Sequence, residues 1–181
     1  MAVSSQMVPL GTPAPDFVLP DVTGATVRRA DFAPAPALLV AFSCNHCPYV
    51  RHIETRLGSL LAGYPDLAAV AICTNDADAY PDDRPEALAA QAQRANWTFP
   101  YLVDAEQQVG RAFNAVCTPD FFLYDGQRRL AYRGALDDST PGNGKPVTGL
   151  LLQRAIEHVL AGRRVPEPHQ PSLGCSIKWR S

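Results

Sequence analysis

The stretch AFSCNHCPYV, residues 41–50, holds two cysteines, Cys44 and Cys47, with two residues between them. It follows ALLVAF, residues 37–42, a continuous apolar run typical of a strand that is covered on both faces. Pro48 is best tolerated in the first turn of a helix, so the next helix begins close to Cys47 or has a kinked first turn. Apolar residues then recur at helical spacing: Val50, Ile53, Leu57, Leu60 and Leu61.

A cysteine pair between a strand and a helix is placed for redox chemistry. Unpaired backbone N–H groups at a helix start, with the helix dipole behind them, lower a thiol pKa by roughly one to several units. Two intervening residues bring the sulfurs within disulfide distance, and a protonated His46 would add a positive partner. Thiolate is the species that attacks a disulfide. The spacing predicts a dithiol in which Cys44 is the more exposed, attacking sulfur and Cys47 resolves the mixed disulfide.

The rest of the chain alternates strands with helices. A turn at Thr23-Gly24 joins two short strands, and a second turn at Gly126-Gln127 joins the two strands of a hairpin. The other predicted elements are a strand at 67–73, a helix opened by Asp83 and Glu86 at capping-box spacing, a strand at 99–104, a helix at 105–115 and a last helix at 151–160 closed by Gly162. This order predicts an α/β fold, one domain over residues 1–181, with a mixed central sheet and helices on both faces. Residues 139–147 and the Pro-rich tail, 164–181, are predicted to lie outside regular structure.

Composition narrows the classes of function. The 181 residues are 46% apolar and 19% charged, with a net charge of −2. No basic run suggests nucleic acid or a membrane surface as a partner. The sequence has no apolar stretch of the 18 or so residues that a membrane helix needs, and its start does not read as a secretory signal. We therefore expect a cytoplasmic, reducing location, where a Cys-x-x-Cys indicates redox or metal chemistry rather than a disulfide scaffold.

Three segments together resemble the thioredoxin superfamily, on its redoxin or peroxiredoxin-like branch (alkyl hydroperoxide reductase/thiol-specific antioxidant-like). APDFVLPDVTG, residues 14–24, resembles the N-terminal signature of that branch. The strand, cysteine pair and helix at 37–61 resemble its redox centre, and CTPDFFLYD, residues 117–125, resembles the segment in which a Thr-Pro precedes the penultimate strand. The runs CNHCPYV, TPDFFLYD, DDSTPGNGKPV and PSLGCSIKW are similar to one peroxiredoxin-like subgroup.

The resemblance implies a thioredoxin-like fold with an N-terminal strand extension and an extended C-terminal tail. It implies that Pro119 is a cis-proline facing the dithiol and that the backbone of Thr118 is free to pair with an extended substrate. With Cys44, Cys47 and His46, these two residues complete the predicted catalytic site. No cofactor or metal is expected. The partners implied are a disulfide-containing protein or small molecule and a thiol electron donor, either a thioredoxin system or glutathione.

The sequence departs from the family in three places. Many thioredoxins carry a buried acid in the strand before the dithiol as a proton relay, whereas residues 37–43 hold no Asp or Glu. In this chain the proton relay is either absent, provided by a residue from another segment, or provided by water. Peroxiredoxins place Thr or Ser three positions before the reactive cysteine, where this chain has Ala41. The Asn-His dipeptide replaces the Gly-Pro of thioredoxin and predicts a more oxidising pair.

Two further functions fit the same residues. A peroxiredoxin-like peroxidase with antioxidant activity would carry Cys44 through a sulfenic acid. A metallochaperone would bind Cu(I) through Cys44, Cys47 and a histidine without turnover. A structural zinc site would need two more ligands, and the sequence has no second Cys-x-x-Cys.

Three cysteines lie outside the motif. Cys73 ends a buried strand and is predicted to be a small core residue. Cys117 lies two residues before Pro119 and fits either packing or a third redox partner. Cys175, in PSLGCSIKW, is interpreted as an ordinary tail cysteine, with a resolving or regulatory role as the alternative.

Overall fold

The computed structural model describes residues 2–181, in which ten strands and four α-helices are formed. The strands are β1 (Ala2–Ser4), β2 (Val18–Pro20), β3 (Thr26–Arg28), β4 (Leu38–Phe42), β5 (Ala68–Cys73), β6 (Tyr101–Val103), β7 (Cys117–Thr118), β8 (Asp120–Tyr124), β9 (Leu130–Gly134) and β10 (Leu173–Ser176). The helices are α1 (Pro48–Ala62), α2 (Pro85–Arg94), α3 (Gln108–Ala112) and α4 (Leu150–Leu160). None of these helices is long and apolar enough to cross a membrane.

The central sheet has five strands in the order β6-β5-β4-β8-β9. β4, β5 and β6 are parallel, and the β8–β9 hairpin joins antiparallel to β4. In the middle of the sheet, Ala41 of β4 pairs with Ala71 on one side and Phe121 on the other. The predicted α/β fold with a mixed sheet is confirmed, and β2 and β3 form the predicted N-terminal hairpin.

Each face of the sheet carries its own apolar core, because successive residues of a strand point to opposite sides. Leu39 and Ala41 pack with apolar residues of α1, α2 and α4. Leu38, Val40 and Phe42 pack instead with α3 and the N-terminal segment. All five residues of β4 are buried, and each buried Leu or Val contributes about 1.5–3 kcal/mol to folding. β4 is therefore a rigid base for the residues that follow it.

The helices match the predicted order, and one of them is shorter than predicted. α1 begins at Pro48 with Cys47 as its N-cap, so the proline fits the first turn. The predicted helix at 105–115 is only Gln108–Ala112, because Gln107 and Asn114 adopt left-handed backbone conformations at either end.

The predicted capping box at Asp83 is wrong. The N-cap of α2 is Arg84, which makes no capping hydrogen bond through its side chain, and Asp83 ends a short 3₁₀ turn, Pro81–Asp83. The carboxylate of Asp83 instead accepts a hydrogen bond from the backbone N–H of Asn45, 38 residues earlier in the chain. Asn45 lies in the cysteine loop, the segment that carries Cys44 and Cys47. Long-range hydrogen bonds outcompete the local cap here.

A second, three-stranded sheet has the order β1-β10-β7 and joins both ends of the chain to the site. The prediction that the whole tail after Arg164 lies outside regular structure is wrong, since Leu173–Ser176 form β10. Both its neighbours are antiparallel to it, with Cys175 opposite Ala2 in β1 and Thr118 in β7. A four-residue strand between two shorter ones lacks the apolar run by which a strand is recognised in sequence.

Candidate active site

Cys44 and Cys47 lie between the end of β4 and the start of α1, as predicted. Both are free thiols. The prediction that Cys44 is the more exposed sulfur is wrong, because both residues are 0% exposed. The hydroxyl of Thr118 lies 3.2 Å from Cys44 Sγ, and the carbonyl oxygen of the same residue lies 3.3 Å from Cys47 Sγ. Both sulfurs are thus shielded from solvent in this structure.

Within the reduced pair, hydrogen bonding favours the thiolate at Cys47 over a thiolate at Cys44. The pKa of Cys47 is lowered to about 5, first by a hydrogen bond from the Cys44 thiol and further by the Cys175 thiol and the backbone N–H of Val50 in the first turn of α1. These donors outweigh burial, which acts in the opposite direction. The pKa of Cys44 is raised well above that of a free thiol because it donates that hydrogen bond, is buried and lies near the charge of Asp83.

The hydroxyl and the carbonyl oxygen of Thr118 face the two sulfurs. The peptide bond between Thr118 and Pro119 is cis, as the resemblance implied. The expectation that the backbone of Thr118 is free for a substrate is wrong. β7 is paired with β10, and Cys175 lies directly opposite Thr118. The C-terminal strand of the chain itself therefore occupies the position expected for an extended substrate.

His46 and the buried Asp83 form an ion pair beside the dithiol. The Nδ1 atom of His46 lies 2.6 Å from Asp83 Oδ2, and since a carboxylate cannot donate, the imidazole N–H does. The backbone N–H groups of Asn45 and His46 also donate to Asp83, as does the side-chain amide of Asn75. Hydrogen bonding to Asp83 raises the pKa of His46.

Asp83 is the site residue that sequence reasoning missed. Burial raises its pKa, but the hydrogen bonds from His46, Asn75 and Asn45 outweigh burial and keep the pKa below its usual value. It supplies a buried acid from outside the strand at 37–43, which was one of the alternatives left open. The segment DADAYPDD, residues 76–83, holds several acids, and no local signal singles out one of them.

Asp83→Asn should lower the pKa of His46, because the amide keeps the size of the carboxylate and loses its negative charge. In the wild type, burial and the charge of Lys178 lower the pKa of His46, whereas the charge of Cys47, a smaller effect, raises it. Without the charge of Asp83, the pKa of His46 should therefore fall. NMR titration of the His46 ring protons measures this shift. Asp82→Asn, at the exposed neighbouring carboxylate, is the matched control and should leave the titration unchanged. An unaltered His46 titration in Asp83→Asn would contradict the ion pair.

A polar network, buried except for Arg94, holds the cysteine loop from the α2 side. Gln91 donates from its side-chain amide to the carbonyl oxygen of Cys44 and to Glu54 Oε2. Arg94 bridges Glu54 and the side-chain oxygen of Asn45. Because these groups are satisfied by one another, the loop is held in one conformation.

The remaining cysteines differ in their relation to the dithiol. Cys73 is buried in the sheet and burial raises its pKa, so the prediction of a core thiol is confirmed. Cys117 is also fully buried and its pKa is raised by burial. Cys175 is half-buried and packs against the core cluster that contains Cys44 and Cys47.

Three potential metal-ligand atoms, from Cys44, His46 and Asp83, lie within 4.8 Å of one another. Asp83 already accepts four hydrogen bonds from the loop and from Asn75. A metal would have to displace the bond from His46, so the donor set is better suited to proton transfer than to coordination.

Comparison with known proteins gives one family match. Residues 10–133 match the AhpC/TSA family. No curated protein matches the chain. A hypothetical protein from Sinorhizobium meliloti is 48% identical over 98% of both chains, with a TM-score of 0.96. An uncharacterized conserved protein from Geobacillus kaustophilus is 46% identical, over 99% of this chain and 97% of its own, also with a TM-score of 0.96.

More distant structures share the fold. A secreted disulfide oxidoreductase of Mycobacterium tuberculosis is 17% identical over 78% of this chain and 94% of its own, with a TM-score of 0.62. At that identity the likeness concerns the thioredoxin-like fold alone.

Proposed function

Because the chain belongs to the AhpC/TSA family, a family of redox proteins on the redoxin branch of the thioredoxin superfamily, we propose that it is a thiol–disulfide oxidoreductase. The observation that carries the proposal is the Cys44–Cys47 pair at the start of α1, with Thr118 beside both sulfurs and a cis peptide bond to Pro119. The pKa of Cys47 is lowered to about 5 and that of Cys44 is raised. A pair that shares one negative charge and one proton is prepared for disulfide exchange.

The reaction is a two-step exchange. A thiolate of the pair attacks one sulfur of the substrate disulfide, a mixed disulfide forms, and the other substrate sulfur leaves as a thiolate. The second cysteine then attacks the protein sulfur of the mixed disulfide and releases the remaining substrate thiolate. The protein ends with a Cys44–Cys47 disulfide, and the substrate has gained two electrons. The order predicted from sequence, with Cys44 first, requires the shared proton to move from Cys44 to Cys47.

His46 and Asp83 manage the protons of this exchange. The imidazolium of His46 favours a thiolate at Cys47, since each charge stabilises the other. Asp83 is buried, lies near Cys44 and raises its pKa, so it disfavours charge on Cys44 and favours its proton. Asp83 also orients His46 through the Nδ1 hydrogen bond. We assign these two residues as positioning and proton-holding groups, with Thr118 and Pro119 lining the substrate side.

The proposed partners follow from the chemistry. The substrate is a disulfide in a protein or small molecule, and a thiol donor, from a thioredoxin system or glutathione, reduces the Cys44–Cys47 disulfide again. A cytoplasmic location would supply such donors. The Asn-His dipeptide supports a pair that is more oxidising than that of thioredoxin.

Equilibration in graded buffers of reduced and oxidised glutathione, followed by thiol blocking and tryptic peptide mapping, tests the proposal. Cys44 and Cys47 share the tryptic peptide 30–51, whereas Cys73 lies in 57–94 and serves as an internal control. We expect peptide 30–51 to lose and regain two hydrogens reversibly along the series, while 57–94 stays unchanged. Absence of reversible closure would overturn the proposal.

The same samples decide between the proposal and its alternatives. If peptide 30–51 changes only after hydrogen peroxide and carries a sulfenic acid, the protein is a peroxidase. The family match supports this second candidate, and Ala41 in place of Thr or Ser argues against it. Stoichiometric Cu(I) that is lost in Cys44→Ser, without turnover of any disulfide, would instead indicate the metallochaperone.

A further inference from the structure

β10 is held across the dithiol by backbone pairing on both edges. Ala2 of β1 and Thr118 of β7 flank Cys175 in register. Gly174 approaches Thr118 so closely that a Cβ at this position would collide with the carbonyl oxygen of Thr118. An extended peptide bound at the backbone of Thr118 would have to take the same place, as in strand addition to a sheet edge.

Both ends of the strand are fixed to the body of the protein. On the N-terminal side, the backbone N–H of Ser5 donates to Ser172 O, and Ser172 N–H donates to the hydroxyl of Ser5. On the C-terminal side, Ile177 is buried in the core. The Lys178 N–H donates to the side-chain oxygen of Asn75. Both ends of β10 are therefore anchored by contacts with other segments of the chain.

Cys175 lies directly opposite Thr118, whose carbonyl oxygen is 3.3 Å from Cys47 Sγ. Hydrogen bonding from Cys175 is one of the causes that lower the pKa of Cys47. Cys175 is half-buried, and it packs against the core cluster that holds both cysteines of the motif. A thiol in a substrate-like strand, packed against the cluster that holds both redox sulfurs, has the placement of one half of a substrate disulfide.

We propose that Cys175 is a third redox-active thiol, which exchanges with the Cys44–Cys47 disulfide to give a Cys47–Cys175 disulfide, in a strand that occupies the place of a disulfide substrate. This inference rests on the proposed oxidoreductase function, because it uses the disulfide which that reaction forms.

The exchange step is balanced without an external oxidant. The Cys175 thiolate attacks Cys47 Sγ, the Cys47–Cys175 bond forms, and the Cys44–Cys47 bond breaks. The electron pair of the broken bond leaves on Cys44, which takes up a proton to replace the one lost by Cys175. The number of disulfides is unchanged, and a free Cys44 thiol is regenerated.

Oxidation of the dithiol itself favours ionisation of Cys175. In the reduced protein the pKa of Cys175 is raised to about 11, first by burial and then by its hydrogen bond to Cys47 and the charge there. Once Cys47 belongs to a disulfide it carries no charge, so both effects of Cys47 disappear. The positive charge of Lys178, which lowers the pKa of Cys175, remains. A thiolate at Cys175 is thus easier to form once the Cys44–Cys47 disulfide is present.

Disulfide mapping of the full-length Cys44→Ser protein, oxidised with diamide, tests the pairing. Cys175 lies in the tryptic peptide 165–178, apart from Cys117 in 112–128 and from the motif in 30–51. We expect 30–51 linked to 165–178 as the main product in Cys44→Ser, and its complete loss when Cys175→Ser is added. Cys44→Ala, checked for native circular dichroism, repeats the test with a second replacement.

A control moves the thiol by one position. In Cys175→Ser/Ser176→Cys, the side chain at 176 points to the opposite face of the strand, so the link to 30–51 should be lost in the Cys44→Ser background. Wild-type protein in the glutathione series should show the same linked peptide with Cys44 blocked, alongside the Cys44–Cys47 form.

The outcomes separate the two proposals. If Cys44–Cys47 closes reversibly in the wild type but no 30–51 to 165–178 link forms in either Cys44 variant, the inference about Cys175 is wrong and the oxidoreductase proposal stands. If the link forms in the Cys44 variants and Cys44–Cys47 never closes in the wild type, the oxidoreductase proposal fails, and with it the exchange step.

Discussion

Cys47→Ser is expected to remove the thiolate that the reduced protein carries at neutral pH. Cys47 is the N-cap of α1 and accepts hydrogen bonds from Cys44, Cys175 and the backbone of Val50, which together keep its pKa well below that of a free thiol. Without it, the remaining motif sulfur is Cys44, which is buried near Asp83 and stays protonated. A free thiol is only a few per cent ionised at neutral pH, so the thiolate signal should fall by more than about 20-fold.

Far-ultraviolet thiolate absorbance during a pH titration measures this change without requiring a reagent to reach the buried sulfur. Wild-type protein should lose its absorbance only well below neutral pH, because a lowered pKa keeps the thiolate down to that pH. Cys44→Ser is the matched comparison, since a serine hydroxyl can still donate to Cys47 and should preserve part of the signal. If Cys44→Ser loses the absorbance and Cys47→Ser keeps it, Cys44 holds the charge and the assignment is reversed.

Gly174→Val should open the C-terminal strand and expose the dithiol. Any Cβ at residue 174 collides with the carbonyl oxygen of Thr118, which is backbone and cannot rotate away. Overpacking of this kind costs about 1–3 kcal/mol, and this cost is avoided when β10 leaves β7. The open state should then be populated roughly 5- to 150-fold more often, and alkylation of Cys47 should accelerate by a similar factor.

Iodoacetamide labelling of peptide 30–51, followed over time by mass spectrometry, measures the rate. Leu173→Ala, in the same strand at a side chain that is 40% exposed, should leave the rate within about twofold. Gly174→Val should also reduce protein disulfides faster than the wild type, because the backbone of Thr118 becomes available. Equal labelling rates in Gly174→Val and the wild type would show that β10 does not control access.

The parts of the site that could be predicted from sequence are those encoded by neighbouring residues. The apolar run before Cys44, the helical spacing after Pro48 and the Cys-x-x-Cys itself are local patterns, and each was found where the sequence placed it. The cis peptide bond before Pro119 followed from the resemblance rather than from any physical pattern.

The parts that could not be predicted depend on contacts between distant segments. Asp83 reaches Asn45 and His46 from a 3₁₀ turn, and its spacing to Glu86 favoured a helix cap instead. β10 has only four residues and no alternation of apolar and polar side chains. Its strand conformation depends on pairing with β1 and β7, which the local sequence does not reveal. The burial of Cys44 follows from such contacts, which explains why its exposure was predicted wrongly.

The side-chain amide of Asn75 makes two hydrogen bonds, one with Asp83 and one with the backbone of the C-terminal segment at Lys178. Its Nδ2 atom donates to Asp83 over 2.9 Å, and its Oδ1 atom accepts from the backbone of Lys178 over 2.8 Å. Rotation of this one amide breaks both bonds, so proton binding at Asp83 and release of the C-terminal strand are thermodynamically linked. Linkage is reciprocal: whatever protonation of Asp83 does to the attachment of the strand, detachment of the strand must do, in equal free energy, to the proton affinity of Asp83.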